Sequence, residues 1–371
     1  LEAFDWHVQL VDGHSVVELA EAFETARVAG RPSVVLARTI KGKGVGFIED
    51  DAARHGKALS EEELERAQAE IESRLEEVSY TPKNRVSFDP PPAPVESVAD
   101  IEVDYERGKG VATRTAFRAA VARVGKHDKD LVVIDGDVKD SSRAKHFFGE
   151  FPDRAVEGYI AEQNMVGMAM GLQARGKHPC VATFAAFLTR AYDQMRMAAY
   201  TRARIMFVGS HTGVSIGQDG PSQMGLEDVA MMRSIYGSVV VSPSDAVSAA
   251  KLTAILAGHN GVSYLRTIRG KTPVIYDRNT SFRLGGSKIL RSSEDDRSII
   301  IATGRTVVEA LRASRTLADE GIAVGVMDAY SIKPLDEEAM LLAARSVACL
   351  VTVEDHYPEG GLGEIVAAAV S

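Results

Sequence analysis

The sequence holds only two cysteines, Cys180 and Cys349, in 371 residues. One pair makes no disulfide framework. Each lies in an apolar strand-like run, so two buried, reduced thiols are expected. No apolar stretch approaches the ~20 residues needed to span a bilayer. Positive charge is not in excess: 43 Lys and Arg against 52 Asp and Glu leave a formal net charge of −9, which argues against a nucleic-acid partner. A cytoplasmic location follows by default. There is no internal repeat, and the glycine-rich run 41–46 lacks a complete G-x-G-x-x-G, which excludes that nucleotide fingerprint. Neither an initiator methionine nor a cationic leader opens the chain. Residues 8–11 read as a strand with nothing before it, and 363–370 as a helix just beginning. The expectation is an internal piece of a longer polypeptide.

What is present suits packed cores and a water-facing surface, with 45% hydrophobic and 26% charged residues. The length fits about two to three domains. A strand at 8–11, an amphipathic helix at 16–29 and a strand at 34–39 lead into a glycine-rich loop. A charged helix then begins at Ser60, with Glu61, Glu62 and Glu63 in its first turn, a capping signature. Residues 82–110 carry Pro90, Pro91, Pro92 and Pro94 with little periodicity and read as a linker. Strands follow at 131–135, 181–184, 205–210 and 239–242, alternating with helices, and the pattern returns at 298–303, 322–328 and 349–354. Such alternation predicts an α/β fold, parallel sheets covered by helices on both faces. The expected domains are 1–80, a linker over 81–110, 111–275 and 276–371. Ligands of such sheets sit beyond the carboxyl ends of strands, where Glu162, Phe187 and His211 all fall.

Taken one at a time, the candidates have ordinary readings. Residues 154–160 look strand-like, and Met165, Met168, Met170 and Leu172, with Gly167, Ala169 and Gly171, form an apolar helix. A glutamate at that junction, Glu162, is first of all a helix cap. Phe184 and Phe187 read as core aromatics. Asp219 reads as a turn residue ahead of Gly220-Pro221. A guanidinium such as Arg114 or Arg266 has the planar fork that suits phosphate oxygens, yet it serves equally on a solvated surface.

The ordered set of motifs is more specific. The runs YIAEQNM (159–165), TFAAFLTRA (183–191), DQMR (193–196) and GSHTGVSIGQDGPSQ (209–223) resemble transketolases. They resemble in particular the branch with glutamine where others carry a second histidine in the DGP segment. The likeness continues through KGKG (41–44), HGK (55–57) and VEDHY (353–357), so it covers nearly the whole chain. It implies a thiamine-diphosphate-binding fold plus a C-terminal α/β domain. Residues 1–80 would be the end of the diphosphate-binding domain, 111–275 the pyrimidine-binding domain and 276–371 a truncated C-terminal domain.

The resemblance also implies roles. Glu162 would hydrogen-bond N1′ of the aminopyrimidine of thiamine diphosphate, and burial there should raise its proton affinity. Phe187, and with it Phe184, would pack on the pyrimidine ring. Gln223 would also contact the cofactor; it stands where a histidine would titrate, and an amide can orient but not exchange protons near neutrality. Lys41 would lie near the cofactor. His55 would face the reacting carbons and substrate hydroxyls. Arg114, Ser141 (with Ser142 as its neighbouring alternative), His211, Asp219 and Arg266 would bind sugar phosphate. The implied activity is transfer of a two-carbon ketol unit from a ketose phosphate to an aldose phosphate through a thiamine-bound dihydroxyethyl intermediate, in a homodimer with its active site between subunits. Gly136-Asp137-Val138 with the later Asn164 imitates the family's magnesium motif, but Val138 replaces glycine and the domain is wrong. No metal ligand is therefore assigned here, and those of Mg²⁺ are expected upstream. The alternatives are another thiamine-dependent enzyme, such as deoxyxylulose-phosphate synthase, or a non-catalytic fragment or interaction module.

Overall fold

The computed structural model describes residues 1–74 and 101–371, in two compact units, Leu1–Phe88 and Asp89–Ser371. The proline run expected as a linker lies outside the described residues.

In the first unit, strand β1 (His7–Asp12), helix α1 (Val16–Val28) and strand β2 (Ser33–Arg38) form a β-α-β element with β1 and β2 parallel. The Ser15 hydroxyl caps α1 by accepting the Glu18 amide. Helix α2 (Glu61–Glu72) starts with the capping box expected from sequence, Ser60 and Glu63 each bonding the other's backbone amide. Leu10 and Leu36 of the two strands and Phe23 of α1 remain exposed. A sheet of two strands is marginal without further cover.

The second unit opens with β3 (Gly110–Val111), α3 (Thr113–His127), β4 (Leu131–Asp135), α4 (Lys139–Ser142), α5 (Lys145–Glu150) and β5 (Ala155–Glu157). It continues through α6 (Glu162–Ala174), β6 (His178–Phe184), α7 (Ala185–Leu188), α8 (Tyr192–Tyr200), β7 (Ile205–Ser210), α9 (Asp228–Ser234), β8 (Val239–Val241), α10 (Ala246–Ala257), β9 (Val262–Arg266) and β10 (Thr272–Pro273). The last stretch is β11 (Lys288–Arg291), β12 (Ser298–Ala302), α11 (Thr306–Asp319), β13 (Val324–Asp328), β14 (Ser331–Lys333), α12 (Glu337–Ser346), β15 (Cys349–Val353) and α13 (Leu362–Val370).

Seven strands make the central sheet in the order β14-β8-β9-β7-β6-β4-β5, parallel except for β14. Its middle strands are buried throughout, as in Leu131–Asp135 and Ile205–Ser210. Runs of this kind are apolar on both faces because helices cover both. One face packs Phe117, Val121, Phe147 and Leu252; the other packs Met165, Leu188, Met195 and Phe207. A four-stranded sheet, β11-β13-β12-β15, follows with only β11 antiparallel. Among the described residues no helix is long and apolar enough to cross a membrane.

Three expectations are corrected. Cys180 is buried but Cys349 is exposed, because β15 is an edge strand with a neighbour on one side only. Residues 101–104, assigned to the linker, belong to the second unit: Ile101 and Val103 are buried in its core while Glu102 and Asp104 alternate with them, a period-two pattern. The strand expected over 154–160 is only Ala155–Glu157, since Gly158 hydrogen-bonds Asp135 and Tyr159 turns to a left-handed φ of 53°.

Candidate active site

Glu162 is the first residue of α6, which follows β5 at the carboxyl edge of the central sheet. Its predecessor Ala161 gives no side-chain cap, so Glu162 sits among open helix amides that favour a negative charge. The residue is 6% exposed. Arg190 donates to Oε1 at 2.7 Å, and Oε2 makes no hydrogen bond, so one oxygen of this largely buried carboxylate is open to a ring nitrogen. Phe187 lies under the same guanidinium, 5.0 Å from its carbon. Phe184 stacks on Phe187 at 5.0 Å between centroids. Glu162, Phe187 and Phe184 thus form one group, and an uncommitted carboxylate oxygen beside a half-buried aromatic face suits the pyrimidine end of thiamine diphosphate.

Phe184 also stacks against His211 at 3.8 Å. His211 follows β7 in a left-handed conformation, φ 60°, which costs a non-glycine residue strain of the kind that collects at functional sites. Its Nδ1 meets Ser210 Oγ at 3.0 Å and its Nε2 faces Arg114 at 3.4 Å. Burial, then the charges of Arg114 and Arg269, push its pKa down to about 4. His211 is therefore a neutral hydrogen-bonding group near neutrality. The sign for stability follows: from pH 6.5 down to about 4 the unfolded chain takes up a proton that the folded chain refuses. Stability is full above that window and falls as pH drops through it. A His211→Gln variant should lose this part of the acid sensitivity, and thermal melts from pH 4 to 7 measure it; equal acid sensitivity in both proteins would contradict the assignment.

Arg114, at the start of α3, is buried, and donates to the Ser141 carbonyl at 2.7 Å. Burial, then Arg143 and Arg269, bring its pKa down to about 10. The sequence pointed to Ser141, and the structure does bring it to Arg114, through its backbone oxygen. The neighbouring Ser142 is committed elsewhere, its hydroxyl donating at 2.5 Å to the buried Asp135. Asp219 ion-pairs with Arg269, whose guanidinium also donates to the Ile216 carbonyl at 3.1 Å. Asp219, Arg114 and His211 are thus gathered with Arg269, which sequence reasoning missed.

Arg266 has a second set of partners. It is 4% exposed, and Nε and Nη2 of its guanidinium are engaged inside the core. Nε donates to Asp228 Oδ2 at 2.8 Å, and Nη2 donates to Asp228 Oδ1, the Gly225 carbonyl and the Asp355 carbonyl. Tyr264 adds a hydrogen bond to the same carboxylate. Only Nη1 is left without a hydrogen bond, so this guanidinium is first of all a packing and pairing group of the core. Arg269, three residues on, is partly exposed and its charge bears on Arg114 and His211.

Gln223 ends the short helical turn after Gly220, half-buried. In the first unit, Lys41 Nζ and His55 Nδ1 are 2.6 Å apart and both residues are exposed. An ammonium can only donate, so Nδ1 accepts and Nε2 carries the ring proton. Asp137, at φ 61°, receives no metal-like company: its amide donates to Glu157, and Asn164 is exposed on α6. Among the described residues no cluster of three or more His, Cys, Asp or Glu side chains forms a metal-binding group.

Three families match consecutive parts of the chain: the transketolase thiamine diphosphate binding domain at residues 1–85, the transketolase pyrimidine binding domain at 109–274 and the transketolase C-terminal domain at 287–371. The transketolases of Mus musculus and Homo sapiens are 44% and 43% identical over the whole of this chain, which spans 59% of each. A split-gene transketolase solved as an inactive β4 tetramer is 34% identical, with a TM-score of 0.65, over 71% of this chain and 85% of that one. The Campylobacter jejuni transketolase shares the fold at a TM-score of 0.79 and 20% identity, over 96% of this chain and 62% of its own.

Proposed function

We propose, for a chain that belongs to the transketolase family, that the protein containing it transfers a two-carbon ketol unit from a ketose phosphate to an aldose phosphate. The observation that carries this reading is the buried Glu162 carboxylate with one free oxygen, joined through Phe187, Phe184 and His211 to the Arg114–Arg269 cluster. Thiamine diphosphate, held with Mg²⁺ whose ligands are expected outside this chain, supplies the electron sink.

The chain's own residues divide the remaining tasks. Glu162 holds a proton at N1′ of the pyrimidine, and Phe187 and Phe184 keep that ring in place. Neutral His211 accepts from or donates to a sugar hydroxyl without becoming charged. Arg114 and Arg269 read the phosphate, with Asp219 orienting Arg269 and the Ser141 carbonyl orienting Arg114. Gln223 orients a polar group of the cofactor or sugar without titrating. Lys41 fixes the His55 tautomer, and His55 presents Nε2–H to the reacting carbons and hydroxyls. A homodimer with shared active sites and a cytoplasmic location belong to the same proposal. The test is a transfer assay on the complete protein with xylulose 5-phosphate as donor and ribose 5-phosphate as acceptor. No transfer by a folded, cofactor-loaded protein would refute it.

A second reading concerns residues 1–371 by themselves. A relative that covers most of its length was solved as an inactive assembly, which favours an inactive state here too. Diphosphate is strongly anionic and anchors poorly without a metal. The chain alone is expected to bind thiamine diphosphate weakly and to turn over no sugar. Calorimetry with magnesium present checks the first part, and tight magnesium-dependent binding would send attention back to Asp137 and Asn164.

A further inference from the structure

Between α3 and the α4–α5 pair runs a basic groove that none of the roles above uses. It encloses a cavity of about 640 Å³. Three of its lysines are answered locally: Lys126 by Glu150 at 3.0 Å, Lys145 by Asp140 at 2.9 Å and Lys139 by Glu157. Two arginines on its lining, Arg118 and Arg143, make no ion pair among the described residues. Arg143 ends α4 at a left-handed φ of 74°, and its Nε is buried without a hydrogen-bond partner. Arg114 Nε, in the inner cluster, is in the same condition. Arg143 follows by two residues the Ser141 carbonyl that Arg114 holds at 2.7 Å, and it also lines the groove, so it joins the inner cluster to the groove. Arg118 lies one helical turn beyond Arg114 on α3, ~6 Å along the axis.

Arg143 is half-buried with its Nε unbonded, and Arg118 stands exposed on the same lining; a buried donor left without an acceptor is costly. An anion of two charges or nearly so would remove that cost, and the lysine-rich rim would attract it. We propose that the groove is a second phosphate subsite, contiguous through Arg143 with the Arg114–Arg269 cluster, in which Arg118 and Arg143 bind a phosphate dianion separately from the first. The proposal rests on the phosphate role of the inner cluster. The dianion comes either from an incoming sugar phosphate held one step outward or from free inorganic phosphate; the chemistry of recognition is the same.

Inorganic phosphate titrated into the complete protein, followed by calorimetry and phosphorus NMR, tests this without any turnover. Two phosphates per chain are expected. Arg118→Ala and Arg143→Ala should each weaken the outer one by about tenfold, the worth of a charge-assisted contact, while Arg143→Lys retains most of it. Arg269→Ala should weaken the inner one alone. Ribose 5-phosphate displacing both phosphates would identify the groove as serving sugar phosphates, and displacement of the inner one alone would identify free phosphate as its ligand. A single bound phosphate, indifferent to Arg118 and Arg143, overturns the subsite and leaves the inner cluster standing. An outer phosphate that responds while Arg269→Ala changes nothing would instead unseat the inner phosphate role.

Discussion

Glu162→Gln in the complete protein is expected to slow two-carbon transfer by roughly 10²–10⁴-fold, the usual worth of a positioned proton-transfer group. The amide keeps the size of the side chain and its place at the start of α6 but cannot hold and release a proton at a ring nitrogen. Removing the carboxylate also takes from Arg190 its only carboxylate partner among the described residues. Arg190 itself is more than half exposed, so the lost ion pair is worth little to stability. The melting temperature should therefore stay close to that of the parent while exchange of the cofactor's C2 proton collapses. An unchanged exchange rate in a loaded, folded variant would remove Glu162 from the mechanism.

The two arginines three residues apart should fail in opposite ways. Arg269→Ala is expected to weaken phosphorylated sugars by about 1.5–3 kcal/mol, roughly 10- to 150-fold, with unphosphorylated sugars nearly unaffected. Arg266→Ala strands Asp228, which is 1% exposed, and a broken buried pair costs about 3–5 kcal/mol. That is a large share of the ~5–15 kcal/mol that holds a domain together. Its signature is lowered stability with equal loss for phosphorylated and unphosphorylated sugars. Paired kinetics and denaturant melts separate the two, and a phosphate-selective loss in a stable Arg266→Ala protein would restore the assignment made from sequence.

The difference between those arginines shows where sequence stops being legible. That Glu162, Phe187 and His211 lie together could be read because each sits in a short run just after a strand, and alternating strands and helices bring strand ends together. The choice between Arg266 and Arg269 depends on Asp228, thirty-eight residues away, and on a carbonyl eighty-nine residues away. Nothing local records such partners. Arg143 was missed for a related reason: an arginine in a left-handed turn carries no signal, since glycine is the usual mark of that conformation. Ser60 and its capping box were legible because the whole motif lies within four residues. Cys349 was misjudged because an apolar strand reads alike at the edge and in the middle of a sheet. Ile101 and Val103 were legible in principle by their period of two, but the prolines before them obscured it.

The loop that carries Asp219 is joined to a part of the chain with no catalytic assignment. Gly213, at φ 72°, lets the backbone pass so close to Asp355 that a Cβ there would lie 1.8 Å from its carboxylate. Asp355 Oδ1 accepts the Val214 amide at 3.0 Å, and the Asp355 carbonyl accepts from Arg266 at 2.6 Å. His356 is met by the Ala230 amide and Tyr357 donates to Leu226. The segment after β15 is thus a buttress pressed against both ends of the loop that carries Asp219. The shape of that loop is in this sense held from outside its own sheet, and a change in the buttress can move it without altering any residue of the loop.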